Sequence, residues 1–424
     1  MFSRRIFRSL LPVVFLLATT FASSPTMVAT ASTSPAEVIN WNTIAVQTAV
    51  GGARLSPGQS YITTAYAQAA VYNAVVAIQG GYQPYMLDIA PNPDASIDAA
   101  VATAAYLVLD HYFPTQHASL TTKYTESLAN VSDGSSKDAG ITIGTEAANG
   151  ILDLREDDGY AQNIGFVMPT PGPGVWQLPP GQSPLTPWIS QMRPFMLNSP
   201  DQFRPGPPPD LTSDEWAVEF NETKTMGRSN SPYRTAEQTD VARFWSTQPT
   251  IQYNTLYKSI ILDRGLDAMQ AARLYAMGNM TTSDAVIACW DAKYHYLFWR
   301  PFSSIPQADS DGNPLTESDP TWTALLPAPP HPEYPSAHGC VTTAVAETLA
   351  EFLGTNHINV DITSTVPGLT HPVRHYDRVN DLTQEIIDAR VWAGIHYRES
   401  DIKGVTLGRK VTHWTLKRYF LPEN

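Results

Sequence analysis

Two proline-dense stretches, residues 166–212 and 301–335, constrain this chain more than any other feature. Proline fixes φ and lacks a backbone N–H, so neither stretch can run as continuous helix or as a central strand. The rest is patterned differently. Tyr61–Ile78 is proline-free and Ala-rich, with Ala65, Ala69, Tyr72 and Val76 at helical spacing; Ile97–His111, Ala118–Ala129 and Lys137–Leu154 read alike. Helical pattern resumes at Thr235–Trp245, Leu266–Gly278 and Ser283–Trp299, the last two separated by Thr281-Thr282-Ser283-Asp284, a plausible N-cap region. A helix is predicted from near Ser336 to Phe352, ended by Gly354, and two more over Asp381–Ala393 and Asp401–Arg418. Alternating Val, Ile and Thr are scarce, so strands should be few. The pattern predicts an all-α protein of packed helical bundles with long Pro-rich surface loops: N-terminal helices over 32–165, the loop 166–212, and a second bundle over 235–424, as one unit. Trp176, Trp188 and Phe195 favour an ordered, packed loop over 166–212; a flexible linker between domains is the alternative.

Ahead of these helices, Arg4, Arg5 and Arg8 precede the apolar run Leu10–Ala22, and Ala29-Thr30-Ala31 offers small residues for cleavage. Residues 1–31 therefore read as a secretory signal peptide, with a retained anchor helix as the alternative, and the expected location is extracellular or periplasmic. Cleavage would remove three of the 27 basic side chains and none of the 40 acidic ones, deepening the formal charge from −13 to −16. So acidic a chain argues against nucleic acid or an anionic membrane as partner. Cys289 and Cys340 are the only cysteines; in a secreted protein they could bridge, but two in so long a chain read rather as buried free thiols. Asn130, Asn221 and Asn279 lie in N-x-Ser/Thr sequons.

Eight of the ten histidines lie between 295 and 413, which places the chemistry late in the chain. Three short segments there stand out: Lys293 with Arg300-Pro301, then Pro335-Ser336-Ala337-His338, then Arg390, Gly394 and His396. Two guanidiniums, an ammonium, a hydroxyl and two imidazoles suit a tetrahedral oxyanion such as phosphate or vanadate. One His can bond the central atom while the other moves protons. Seven residues is two helical turns, so Lys293 and Arg300 are expected on one helix face, with Pro301 ending that helix. Ser336 and His338 should stand at a helix N-terminus, where backbone N–H groups attract anions. His396 is turned away from Arg390 and Gly394 in an ideal helix, so the helix should end or bend near Gly394 and present His396 from its end.

These segments resemble the signature of the vanadium-dependent haloperoxidase and type-2 phosphatidic acid phosphatase superfamily. WDAKYHYLFWRP at 290–301 and HPEYPSAHG at 331–339 are especially similar to its secreted haloperoxidases. The resemblance implies that His396 bonds vanadium. It implies that Lys293, Arg300, Ser336, Arg390 and the Ala337 N–H hold the oxygens of vanadate, and that His338 is the acid–base residue. It further implies hydrogen peroxide as co-substrate, a halide and an organic acceptor as small-molecule substrates, and a possible homodimer. His331 and Trp290 resemble residues near the halide pocket, which leans towards bromide or iodide over chloride. The sequence departs from the pattern at Ala337, where Gly is usual, and at Ala389, where Ser is usual. Asp401 lies one residue further from His396 than the usual acid, and Gln248 falls where some relatives carry an Asp that steadies the last Arg. Two readings compete with the haloperoxidase. One is a soluble acid phosphatase with His396 as nucleophile; the other is a non-catalytic oxyanion binder with an eroded site.

Overall fold

In the computed structural model the described residues are Met1 and 33–423; the predicted leader lies outside them, save Met1. The architecture is almost wholly helical. Ala36–Val46 (α1) runs into a wider turn ending at Gly52, and Pro57–Gln79 (α2), Ile97–Tyr112 (α3), His117–Ala129 (α4) and Ser135–Arg155 (α5) complete the N-terminal set. Asp214–Met226 (α6), Ala236–Phe244 (α7) and Pro249–Asp263 (α8) lead to the longest helix, Ala268–Tyr296 (α9), and to the short Pro301–Ser304 (α10). Ala337–Leu353 (α11) is followed by His357–Thr363 (β1) and Val373–Arg378 (β2), then Val379–Trp392 (α12) and Arg398–Leu416 (α13). The strands form one antiparallel ribbon in which Val360 faces Tyr376. Ile358, Val360 and Ile362 point inward on alternate residues of β1.

The main apolar core joins the two helical sets, and smaller clusters form around Trp216 and around Ile395. α2 and α9 are buried over most of their length, and both contribute to the main core. A helix apolar on all sides must be enclosed by others, and their Ala-rich surfaces allow close packing. α9 was expected as two helices, but it runs unbroken through Thr281–Asp284. All four residues are buried, and the Ser283 hydroxyl donates back to Asn279 O at 2.8 Å. Asp284 caps no helix here. Its carboxylate accepts the N–H groups of Phe195, Met196 and Leu197 at 2.6, 2.8 and 3.0 Å. That fastens the first Pro-rich stretch to α9, with Arg204 adding a bidentate pair to Asp291 at 2.7 Å. The stretch is an ordered loop whose prolines flank the buried Trp176, Ile189, Met192 and Phe195. Asn279 is fully buried and paired with Asn254, so its sequon is closed to glycosylation in the folded chain. No helix among the described residues is long and apolar enough to cross a membrane.

The crossing of α11 and α13 is tight. A Cβ on Gly404 would come within 2.5 Å of Ser336 O, and one on Gly408 within 2.4 Å of Cys340 O. Absent side chains at those positions let the start of α11 lie directly against α13, which fixes where Ser336 and His338 can be.

Candidate active site

Helices α2, α9, α11 and α12 and the connections between them converge on a cavity of about 410 Å³. Its walls include Trp290 from α9, His331 from the second Pro-rich stretch, Ala337 and His338 from the start of α11, Arg390 from α12 and His396 from the turn before α13. Lys293, Arg300 and Ser336 do not line it; they are fully buried behind the wall.

Lys293 and Arg300 reach this place by different routes. α9 ends at Tyr296, and Leu297 adopts a left-handed conformation, φ 50°. Arg300 is extended, φ −96° and ψ 157°, so it shares no helix face with Lys293, and Pro301 opens α10 instead of ending α9. Lys293 Nζ donates to the carbonyls of Pro332 and Glu333, both at 2.9 Å. Arg300 Nε donates to His331 O at 2.7 Å and its Nη1 to Ile395 O at 2.8 Å. Its Nη2 reaches His331 Nδ1 at 3.0 Å and Pro332 O at 3.3 Å. His331 Nδ1 also lies 3.1 Å from Pro332 O, so that nitrogen meets both a donor and an acceptor. The two cations thus tie the backbone of 331–333 to the residue before His396. By donor inventory, one N–H of each remains to meet an anion.

Gly394 has φ +75°, and a Cβ there would come within 2.4 Å of Gly227 O. Only glycine meets both demands. The chain leaves α12 through this turn and presents His396 two residues ahead of α13, as anticipated.

The partner of His396 was missed. Glu333 Oε1 sits 2.8 Å from His396 Nδ1 and also accepts the Tyr397 N–H at 3.0 Å. An oxygen that accepts an amide proton is the unprotonated one, so Nδ1 carries the imidazole proton and Nε2 keeps its lone pair. Glu333 Oε2 is buried without a partner. The available signal was an acid between Pro332 and Pro335 in the segment that also carries Ser336 and His338.

Asp401 and Gln248 take other roles. Gln248 caps α8, accepting from Thr250 N at 2.8 Å, and does not steady Arg390. Arg390 Nη1 donates to Trp245 O at 3.1 Å, while its Nε is buried without a partner. Asp401 is fully buried, and burial pushes its carboxyl well above the ordinary value, with the Ser336 hydroxyl and Arg390 opposing the rise. The Ser336 hydroxyl accepts from Gly339 N at 3.4 Å as the α11 cap. Ala337 is the first residue of α11 and is not among the positive-φ residues, so its methyl brings no backbone strain there. The two thiols are free and buried.

Burial governs the electrostatics. It brings Lys293 down to about 8, Arg300 to about 9 and Arg390 to about 10. It pushes Glu333 up to about 7, with Lys293 and Arg300 opposing the rise. It also holds His331, His338 and His396 well below the ordinary imidazole value. Arg390 adds to the depression of His338, and Arg300, Lys293 and Arg390 to that of His396. The site therefore presents neutral imidazoles among positive charges. An oxyanion would relieve that repulsion.

Residues 273–421 match the family described as the VCPO second helical-bundle domain. That match lies in the second helical set and takes in all three motif segments, from Lys293 to His396. Vanadium chloroperoxidase of Curvularia inaequalis is 30% identical over 171 residues, a match covering 30% of this chain and 27% of that relative. The chain thus spans about a quarter of that relative's length. Among solved structures, a bacterial vanadium-dependent iodoperoxidase superposes with a TM-score of 0.80 at 23% identity, over 92% of this chain and 98% of that one. A bacterial vanadium-dependent chloroperoxidase gives 0.71 at 16% identity, over 88% and 93%. At such identities the superpositions establish the helical haloperoxidase fold.

Proposed function

We propose that this protein is a vanadate-dependent haloperoxidase that uses hydrogen peroxide to oxidise a halide to a hypohalous species. The observation that carries the reading is the Glu333–His396 pair: a buried carboxylate holds Nδ1 at 2.8 Å, leaving Nε2 as a ligand beside a cavity walled by Arg390 and His338. The donor set fits a tetrahedral oxyanion. Arg390 has an unpartnered buried Nε, Lys293 and Arg300 each keep a spare N–H, and the N-terminus of α11 offers the Ala337 amide. When bound, vanadate supplies the Lewis acidity that makes peroxide an oxidant of halide. His396 would hold the metal, and Lys293, Arg300, Ser336, Ala337 and Arg390 its oxygens. His338, neutral at rest, can accept a proton from peroxide and return it to a departing oxygen. Trp290 and His331 lie with ring centroids 5.0 Å apart in the cavity wall. A neutral imidazole beside an indole suits a large, weakly hydrated halide, which supports bromide or iodide over chloride. The N-terminal Arg-flanked apolar run supports export from the cytoplasm.

The same geometry supports a second reading. A neutral His396 Nε2 held by a carboxylate is also a nucleophile for phosphorus, with His338 protonating the leaving oxygen. One experiment separates the two. Purified vanadate-free protein is assayed for bromination of a phenolic dye with bromide and peroxide, before and after orthovanadate, beside phosphate-ester hydrolysis without vanadate. Bromination only with vanadate, and lost in His396→Ala, is expected; phosphate release without bromination favours the phosphatase.

A further inference from the structure

The cavity is much larger than halide, peroxide and an oxyanion require. At about 410 Å³ it falls in the range of small-molecule pockets. Away from the His338, Arg390 and His396 wall it is apolar, lined by Pro57, Leu185, Val286, Trp290, Pro327 and Pro329, and no carboxylate lines it. Pro57, Ser246 and Pro327 are exposed and mark its mouth. Within this apolar lobe stands Tyr61 of α2. It is 2% exposed, and its hydroxyl has no hydrogen-bond partner. The nearby Thr250 hydroxyl donates to Ser60 at 2.8 Å, since Ser60 itself donates to Pro57 O, so Thr250 can take the Tyr61 proton and leave the Tyr61 oxygen to accept from a ligand. A buried hydroxyl without a partner awaits one.

We propose that this lobe binds the organic acceptor of halogenation: a neutral, apolar, aromatic molecule with one polar group, held by the Tyr61 hydroxyl against the oxyanion wall. The proposal rests on the haloperoxidase reading. Hydrogen peroxide takes two electrons from the halide, and with one proton gives the hypohalous acid and water. The acceptor's ring carbon then forms a bond to the halogen and loses its proton, and the hydroxide released from the halogen leaves with that proton as water. Binding the acceptor at the mouth side of the oxyanion wall would intercept the hypohalous acid before it escapes, whereas charged acceptors would be excluded by the apolar walls.

Indole is a suitable probe, being neutral, apolar and furnished with a single N–H. The test titrates indole into vanadate-free full-length protein by calorimetry. It uses wild type, Tyr61→Phe, which keeps the ring, and Val286→Phe, which fills the lobe. In parallel, triiodide formation from iodide and peroxide is followed with vanadate and no organic acceptor. Saturable binding is expected in wild type, about five- to tenfold weaker in Tyr61→Phe, the size of one hydrogen bond, and lost in Val286→Phe. Triiodide formation should be unchanged in Tyr61→Phe, and a melting temperature close to wild type should show Val286→Phe folded. No saturable binding in wild type, or equal binding in Tyr61→Phe and wild type, would overturn the proposal. Indole binding without triiodide formation by wild type would instead sink the haloperoxidase reading while leaving a ligand-binding lobe.

Discussion

Glu333 shows how much one side chain decides. It fixes the His396 tautomer, and supporting carboxylates of this kind typically change metal affinity or activity by about 10- to 100-fold. Glu333→Gln keeps the shape but removes the charge, so orthovanadate affinity measured by calorimetry should fall by about that factor. The pH dependence has a definite sign. The folded protein holds the Glu333 proton up to about 7, above the ordinary 4.5. Its contribution to stability is therefore full below about 4.5 and is lost as pH rises to about 7. Melting of the vanadate-free protein should show this decline, and Glu333→Gln should flatten it; parallel curves for the two would contradict the assignment. Lys293 works in the opposite range. Only its protonated form pairs with an anion, so the rise in melting temperature given by phosphate should shrink as pH passes about 8. Lys293→Gln should remove that limb.

At the scale of elements, the site depends on two junctions that hold no catalytic group. The first is the α11–α13 crossing. A methyl at Gly404 or Gly408 cannot fit against Ser336 O or Cys340 O without moving a helix. Gly408→Ala should cost about 1–3 kcal/mol in urea unfolding and weaken oxyanion binding, because Ser336 and His338 move with α11. The second is the fastening of the first Pro-rich stretch to α9. Asp284→Ala would leave three buried amides without acceptors. Hydrogen exchange at Phe195–Leu197 should accelerate strongly, and proteases should cut within 166–212 while α9 stays protected. Unchanged exchange there would show that the loop is held by its aromatic side chains alone.

Over the whole molecule, an acidic chain encloses a small buried cationic centre, reached through an apolar mouth on the side of the N-terminal helices. α2 supplies Pro57, Gly58 and Tyr61 to that cavity, so the N-terminal set completes the site as well as the core. α5 was legible in sequence because burial of one face leaves a repeat of 3.6 residues, and α2 because it is Ala-rich and free of proline after its first turn. α1, α6, α8 and the β1–β2 ribbon were not, being stabilised by what they pack on. The charged residues stood out as a set because their combined chemistry suits a tetrahedral oxyanion, which residue types alone can indicate. By itself the sequence determined the helical class, the proline breaks and the chemical inventory of Lys293, Arg300, Ser336, His338, Arg390 and His396, since these follow from local sterics and side-chain chemistry. Only the tertiary structure decided that Glu333 and not Asp401 holds His396, that Lys293 and Arg300 meet without sharing a helix, and that Tyr61 stands in the cavity. Those facts depend on distances between segments far apart in the chain, and such distances are set by packing, which no local pattern records.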